Sequence, residues 1–147
     1  TLSSSSAASD VYKRQAAYTF GYGKSYTEFV YEDVSFGNTE VALDELHKNG
    51  IQAEMTIKNV GEYDGYAVPL VYIAGEQGSV VRRAKELKGF KKVWLKKGES
   101  KRVSILLPAE AFAVWNFEME FKVEPGRVKL ILEEMGQTVG SETINLF

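Results

Sequence analysis

From residue 28 onward the chain is a series of short runs in which apolar and polar residues alternate. The clearest run is IQAEMTIKN at 51–59, where every second side chain from Ile51 to Ile57 is apolar. Successive side chains of a β-strand point to opposite faces, so this run predicts a strand with one buried and one solvated face. Seven or eight segments of the chain are predicted to be strands.

Other segments depart from simple alternation in informative ways. YAVPLVYIA at 66–74 is almost continuously apolar, which predicts one strand buried between two layers, with Pro69 at an edge or a bulge because proline cannot donate to a ladder. The preceding NVGEYDG at 59–65 predicts a chain reversal, because Asn, Gly and Asp-Gly tolerate positive φ. PAEAFAV at 108–114 predicts one helical turn that starts near Pro108.

The remaining predicted strands lie at 28–36, 85–95, 101–109, 116–123, 128–134 and 142–147. No long amphipathic helix is predicted. Because each sheet has one apolar face to bury, the layout predicts an all-β fold in which two antiparallel sheets form an immunoglobulin-like sandwich. The Cys…Trp…Cys pattern of antibody domains is absent, which favours the fibronectin type III-like variety.

Composition limits the chemistry that this fold can carry. With 147 residues, 44% hydrophobic and 26% charged, the chain is predicted to be one globular domain with a real core. No apolar run reaches the length of a membrane-spanning helix. Cysteine is absent, so disulfides and thiolate metal sites are excluded, and cytoplasmic, periplasmic and secreted locations all stay open. The single histidine, His47, is interpreted as a turn residue in water, and no metal, cofactor or Ser-His-Asp site is predicted.

The first residues differ in composition from the rest of the chain. Residues 1–15 are rich in serine, and Lys13 and Arg14 follow the small residues instead of preceding an apolar segment, which is unlike a signal peptide. We predict a disordered or non-native tail at 1–15, a linker or docking segment at 16–27 and the folded domain at 28–147.

Four segments of the chain form a recognisable series: FGYGKSYTEFVY (20–31), NVGEYDGYAVPLVYI (59–73), RRAKELKGFKKVWLKKGESKRVSILL (82–107) and FKVEPGRVKLIL (121–132). Taken together and in this order, they resemble the C-terminal fibronectin type III-like domain of glycoside hydrolase family 3, the β-glucosidase and β-xylosidase family. The chain departs from the family pattern at Thr19 and Arg83, where proline is usual, at Lys24, where leucine is usual, and at Leu70, where glutamine is usual.

The resemblance implies a function for a larger protein. Enzymes of this family hydrolyse β-glycosides with retention, using an aspartate nucleophile on a TIM barrel and an acid/base that usually comes from a following α/β domain. A chain already occupied by a sandwich has no room for those domains. We therefore predict a noncatalytic accessory domain that packs against and stabilises the TIM-barrel and α/β domains of a parent glycosidase, and no catalytic residue in this chain.

The chain's own carboxylates give no support for independent catalysis. Retaining glycosidases need two carboxyl groups about 5 to 5.5 Å apart. Glu133 and Glu134 are neighbours, so in a strand they are expected to face opposite sides. Glu118 and Glu120 would share a face, but they alternate with apolar residues as a solvated face does.

Two groups of residues are candidates for contacts with partners. In the linker, Gly21 and Gly23 permit tight turns beside bulky rings, a combination suited to a segment pinned against a neighbouring domain. The basic run 82–102 contains ten of the chain's eighteen cationic residues but only two acidic residues. The predicted interdomain contacts are Phe20, Tyr22, Tyr26, Arg82, Arg83 and Lys85.

The basic run has three interpretations: a solvated face that protects a sheet edge, an interdomain contact, or a site for an acidic polymer. Nucleic acid is disfavoured, because the isoelectric point is near 5.5 and no nucleic-acid motif occurs. The tryptophans Trp94 and Trp115 are interpreted as core or interface residues, with sugar contact as the alternative. An autonomous carbohydrate-binding module for polysaccharide, or a generic protein-interaction sandwich, remains an alternative to the accessory domain.

Overall fold

The computed structural model describes residues 27–75 and 85–147. The predictions that concern residues 1–26 and 76–84, including those for Phe20, Tyr22, Tyr26, Arg82 and Arg83, lie outside this part. Its strands are β1 (Phe29–Ser35), β2 (Glu40–Val41), β3 (Ile51–Asn59), β4 (Gly65–Ala67), β5 (Leu70–Gly75), β6 (Glu86–Phe90), β7 (Val93–Leu95), β8 (Ser100–Leu107), β9 (Val114–Trp115), β10 (Phe121–Lys122), β11 (Gly126–Glu134) and β12 (Gln137–Leu146). Helix α1 spans Leu43–Asn49, and a 3₁₀ turn spans Ala109–Phe112.

Two main sheets form the predicted sandwich. The larger has the strand order β2-β12-β11-β5-β6 and the smaller has the order β1-β3-β8. Neighbouring strands are antiparallel except for β12 and β2, which are parallel. Two further two-stranded sheets, β4-β7 and β9-β10, lie beside them. The all-β sandwich predicted from the sequence is confirmed.

The core lies between the apolar faces of the two main sheets. In β3, Ala53, Met55 and Ile57 are fully buried while Gln52 is exposed, as the alternation predicted. The two sheets approach closely at Gly89 of β6, where an added Cβ would lie 2.9 Å from a methyl group of Leu107 on β8. The largest fully buried side chains are Phe112, Leu46, Met55, Ile57, Ile73, Leu95, Leu107, Leu130, Leu132, Ile144, Leu146 and Val71.

The segment 66–74 forms two strands instead of the single strand that was predicted. β4 ends at Ala67 and β5 begins at Leu70, and these strands belong to different sheets, pairing with β7 and β6 respectively. The segment that pairs with it makes the same change of sheet between Phe90 and Val93, because β6 pairs with β5 and β7 pairs with β4. The two paired segments therefore cross from one sheet to the other together. Pro69 cannot donate to a ladder, and its position between the strands gives the break a physical cause.

The helical elements correct the prediction in one place and support it in another. The predicted helical turn after Pro108 is present as the 3₁₀ turn. Helix α1 was missed, because seven residues with one fully buried side chain, Leu46, give no usable periodicity. His47 lies in the last turn of α1 and not in a connecting turn, and its Nδ1 lies 2.7 Å from the carbonyl oxygen of Leu43 at an exposed position.

The segment 59–64, which we call the asparagine turn, is organised by a fully buried polar side chain. Asn59 Oδ1 accepts hydrogen bonds from Thr27 Oγ1 (2.7 Å) and from the backbone N–H of Gly61 (3.1 Å). Its Nδ2 donates to the carbonyl oxygens of Tyr63 (2.7 Å) and Leu95 (3.1 Å). The carboxamide thus joins the chain entering β1, the end of β3, the turn itself and the end of β7.

Gly61 is needed in the asparagine turn for a different reason from the one predicted. No residue between 59 and 65 has a positive φ, so conformational tolerance is not what this segment requires. A Cβ on Gly61 would instead lie 2.0 Å from Thr27 Oγ1 and 2.5 Å from the backbone nitrogen of Glu28. The glycine is required because two backbone segments meet there.

Candidate interdomain surface

Lys85, the one predicted interdomain cation that the structure describes, is engaged within the domain. Its ammonium forms an ion pair with Glu133, a side chain on β11 that is only 5% exposed. The same ammonium lies 4.6 Å from the ring centroid of Tyr72 on β5. Burial, followed by the negative charge of Glu133, raises the pKa of Tyr72. An interdomain role for Lys85 stays a prediction.

Glu134, the next residue, engages different partners from Glu133. Its Oε1 accepts a long hydrogen bond from the N–H of Val68 (3.4 Å). Its Oε2 and the hydroxyl of Tyr31 are both buried and make no hydrogen bond of standard geometry in the described part of the chain, although the two groups are close enough to influence each other. Burial raises the pKa of Glu134, and burial together with the nearby Glu134 charge raises the pKa of Tyr31. The two adjacent carboxylates therefore serve separate clusters, as strand geometry predicted.

The other cations of the basic run that carry ion pairs also find partners in the same domain. The pairs are Lys88–Glu86 (3.0 Å), Lys97–Glu62 (2.9 Å), Lys101–Glu99 (3.5 Å) and Arg102–Glu54 (3.1 Å). Exposed pairs of this kind contribute only about 0–1 kcal/mol each to stability, but they neutralise much of the local positive charge. This pairing favours the solvated-face interpretation of the run over a site for an acidic polymer.

Trp94 belongs to an aromatic pair on the small sheet β4-β7. Tyr66 and Trp94 are paired across the two strands, with their ring centroids 4.7 Å apart in an edge-to-face arrangement. The ammonium of Lys92 lies 4.2 Å from the centroid of Tyr66, and Lys101 Nζ donates to the Trp94 carbonyl oxygen (2.7 Å). Trp94 is 42% exposed, so it is not a core residue. Cations therefore lie against one ring and one backbone group of this pair.

Trp115 lies in a second small sheet, β9-β10, which we call the aromatic hairpin (residues 114–122). The sequence predicted a continuous strand at 116–123, and this prediction is wrong, because the chain reverses between the two short strands. Apolar and polar residues alternate from Phe117 to Phe121, and this alternation wrongly indicated a strand. A turn whose exposed residues alternate between apolar and polar has the same sequence pattern. The rings of Trp115 and Phe121 pair across the hairpin with centroids 5.4 Å apart.

The aromatic hairpin places its large apolar side chains in water. Trp115 is 64% exposed, Phe117 85%, Met119 83% and Phe121 52%. Trp115 is therefore not a core residue, and the interface and sugar-contact interpretations remain for it. The sequence offered little to predict this exposure, because side chains of this type are usually buried.

Within residues 27–75 and 85–147, no cluster of three or more His, Asp or Glu side chains could hold a metal ion. In the same part of the chain, no helix is long and apolar enough to cross a membrane. The described residues are occupied by the sandwich and contain neither a TIM barrel nor a doubly wound α/β unit.

The architecture defines a fibronectin type III-like sandwich, and the fibronectin type III-like domain family matches residues 67–134. The periplasmic β-glucosidase of Salmonella typhimurium is 36% identical over 115 residues, covering 78% of this chain and 14% of that protein. A β-xylosidase of Formosa agariphila is 33% identical over 130 residues, covering 88% of this chain and 17% of that protein.

Solved structures give the same result. The β-glucosidase from Listeria innocua in complex with glucose matches with a TM-score of 0.77 and 35% identity, covering 86% of this chain and 17% of that chain. The chain belongs to the fibronectin type III-like domains of glycoside hydrolase family 3 β-glucosidases and β-xylosidases. It spans less than a fifth of the length of these relatives.

Proposed function

We propose that this chain is the noncatalytic accessory domain of a family 3 glycosidase that hydrolyses β-glucosides or β-xylosides. Its role is to pack against and stabilise the catalytic TIM-barrel and α/β domains. The observation that carries this proposal is the coverage of the relatives: the similarity extends over 78–88% of this chain but only 14–17% of each glycosidase. In those proteins a domain of this kind is a small part of a much longer polypeptide.

The test begins with the natural reading frame that contains residues 16–147. We expect it to encode a TIM barrel and an α/β domain in the same polypeptide. Deleting residues 27–147 from that polypeptide should lower its melting temperature and its hydrolysis of aryl β-glucosides and β-xylosides. A frame without catalytic domains, or a truncated enzyme that keeps its stability and activity, would contradict the proposal.

The exposed tryptophans support a second candidate, an autonomous carbohydrate-binding module. Sugars stack on exposed aromatic rings, and Trp94 and Trp115 both present ring surface to water. Titration of the chain with cellulose, xylan and soluble oligosaccharides distinguishes the two functions. Saturable binding that is lost in Trp94→Ala or Trp115→Ala, and kept in the control Phe90→Ala, would favour the module.

A further inference from the structure

No other short segment in the described part of the chain exposes as much apolar side chain as the aromatic hairpin. We propose that it is the element through which this domain docks on the catalytic portion of its own polypeptide. This inference rests on the proposed function and adds the surface and the chemistry of the contact. No residue of the hairpin was among the predicted interdomain contacts, although Trp115 was interpreted as a core or interface residue with sugar contact as the alternative.

Exposure is the first argument. The four exposed apolar side chains of the hairpin lie within seven consecutive residues, and the two at its tip, Phe117 and Met119, are more than four-fifths exposed. Contiguous apolar surface of this kind marks a protein-interaction site more often than it occurs by chance on a monomer. Trp, Phe and Met are also the residue types enriched where protein interfaces are most completely buried.

Order is the second argument, because a fixed shape lowers the entropic cost of binding. The carboxamide oxygen of Asn116 accepts hydrogen bonds from the N–H groups of Glu118 (2.9 Å) and Glu120 (3.0 Å). The backbone adds Asn116 N–H to Glu120 C=O (3.0 Å) and Met119 N–H to Asn116 C=O (3.1 Å). At the base, Ala113 and Val123 are buried in the core. The apolar tip is therefore held out from the domain in a defined geometry.

The chemistry of the hairpin identifies its occupant as a protein surface. Phe117 carries no hydrogen-bonding group and Met119 carries only a weakly accepting thioether sulfur, so the tip offers a polysaccharide little specificity. Around the tip, Lys122 is bridged to Glu120 (2.7 Å) and Glu118 (3.7 Å). Two carboxylates to one ammonium leave the rim negative, so the partner surface should be an apolar recess bordered by cations.

The lengths of the related glycosidases indicate which partner the hairpin contacts. Each matched glycosidase devotes more than four-fifths of its length to other regions. A small domain covalently joined to so large a polypeptide meets that neighbour at a high effective concentration, which a second copy in dilute solution does not reach. The catalytic portion is therefore the occupant to which the inference commits.

Hydroxyl-radical footprinting tests the contact in the natural full-length polypeptide and in the 147-residue chain. We expect modification of Trp115, Phe117 and Met119 to fall roughly fivefold or more in the longer protein, because interface burial removes these side chains from water. Tyr63, exposed to the same 64% as Trp115, is the matched control and should keep its rate. Unchanged modification of the hairpin in a polypeptide that contains catalytic domains overturns this inference and leaves the proposed function standing.

The double variant Phe117→Ser/Met119→Ser gives a second readout. It should leave the melting temperature of the 147-residue chain unchanged, lower that of the full-length polypeptide, and restore radical modification of Trp115 there. Tyr63→Ser should do none of these.

A concentration-dependent dimer of the 147-residue chain that the double variant abolishes would assign the hairpin to a second copy, and protection of the hairpin by xylan or cellulose would assign it to polysaccharide. Either result overturns the inference. A natural polypeptide without catalytic domains defeats the proposed function itself.

Discussion

Two asparagines organise two turns of this domain, and their surroundings are opposite. Asn59 is fully buried, and the oxygen and the nitrogen of its carboxamide each make two hydrogen bonds inside the domain. Asn116 lies at the surface, where its oxygen fixes a turn that carries Phe117 and Met119 into water. One turn buries a polar group and the other exposes apolar ones.

The difference shows which of the two turns is fully accounted for by contacts within the domain. Burial of a polar side chain is costly unless its hydrogen bonds are replaced, and at Asn59 all of them are. Exposure of Phe117 and Met119 has no comparable compensation among the described residues. The asparagine turn is thus complete within the domain, whereas the aromatic hairpin is completed by a partner under our inference.

Among substitutions in the two turns, the largest expected effect comes from replacing the buried asparagine. Asn59→Ala removes four hydrogen bonds and leaves the carbonyls of Tyr63 and Leu95 without their donor, so we expect a loss of roughly 3 kcal/mol in the free energy of unfolding. Asn116→Ala removes two exposed bonds and should cost about 1 kcal/mol or less. Urea unfolding of both variants measures the difference, and equal losses would show that burial does not distinguish the two turns.

Gly61 tests whether the asparagine turn depends on space. Gly61→Ala brings a methyl group against the backbone of Thr27 and Glu28, which has to move, and should cost about 2 kcal/mol. Gly98 is a suitable control, since it has φ near 78° and open space around it. Asparagine tolerates that conformation. Gly98→Asn should therefore be much better tolerated than Gly61→Asn, and the reverse order would refute the steric explanation.

Glu134 gives a second contrast with Asn59, because its Oε2 is buried without a hydrogen bond of standard geometry in the described part of the chain. Burial raises the pKa of Glu134 in the folded state, so between the unfolded and folded pKa values the native state binds the proton more readily than the unfolded chain. The stability that this group contributes is complete below the ordinary carboxyl pKa and is lost as the pH rises through the raised value.

Glu134→Gln removes this titration and can keep the bond from Val68. We expect the variant to be about 1 kcal/mol more stable than wild type at neutral pH, with the advantage disappearing in acid. Its neighbour provides the control: Glu133→Gln breaks the ion pair with Lys85 and should destabilise the domain at neutral pH. Urea unfolding from about pH 4 to about pH 8 measures both, and a neutral-pH loss in Glu134→Gln would count against the burial effect.

The sequence predicted the sandwich well where one side-chain pattern corresponds to one environment. Alternation in 51–59 predicted β3 because its faces meet core and water. The break at Pro69 was only half anticipated, since a continuous apolar run gives no indication that a chain changes sheets. Helix α1 was missed because its burial depends on Leu46 alone.

The candidate surface was harder to predict than the fold. The basic run attracted attention through its charge. Among the described residues, however, three of its five ion pairs are with acids that are distant in sequence and brought close only by folding, namely Glu54, Glu62 and Glu133. The hairpin was concealed by its own alternation, because Phe117, Met119 and Phe121 give the same period-two pattern in a strand as in a turn. Three-dimensional exposure, which no local pattern records, separates the two.

The smallest expected change in the free energy of unfolding comes from a substitution at the tip of the aromatic hairpin. Met119 and Met55 are the same residue type, at 83% and 0% exposure. In the 147-residue chain, Met119→Ser should change the free energy of unfolding by less than about 0.5 kcal/mol, because the side chain is already in water. Met55→Ser creates a cavity and buries a hydroxyl in the core, and should cost roughly 3 kcal/mol or more. Urea unfolding compares them directly. A substantial loss in Met119→Ser would mean that the hairpin tip is packed within this chain, and the contrast between a self-sufficient asparagine turn and a hairpin that needs a partner would fail.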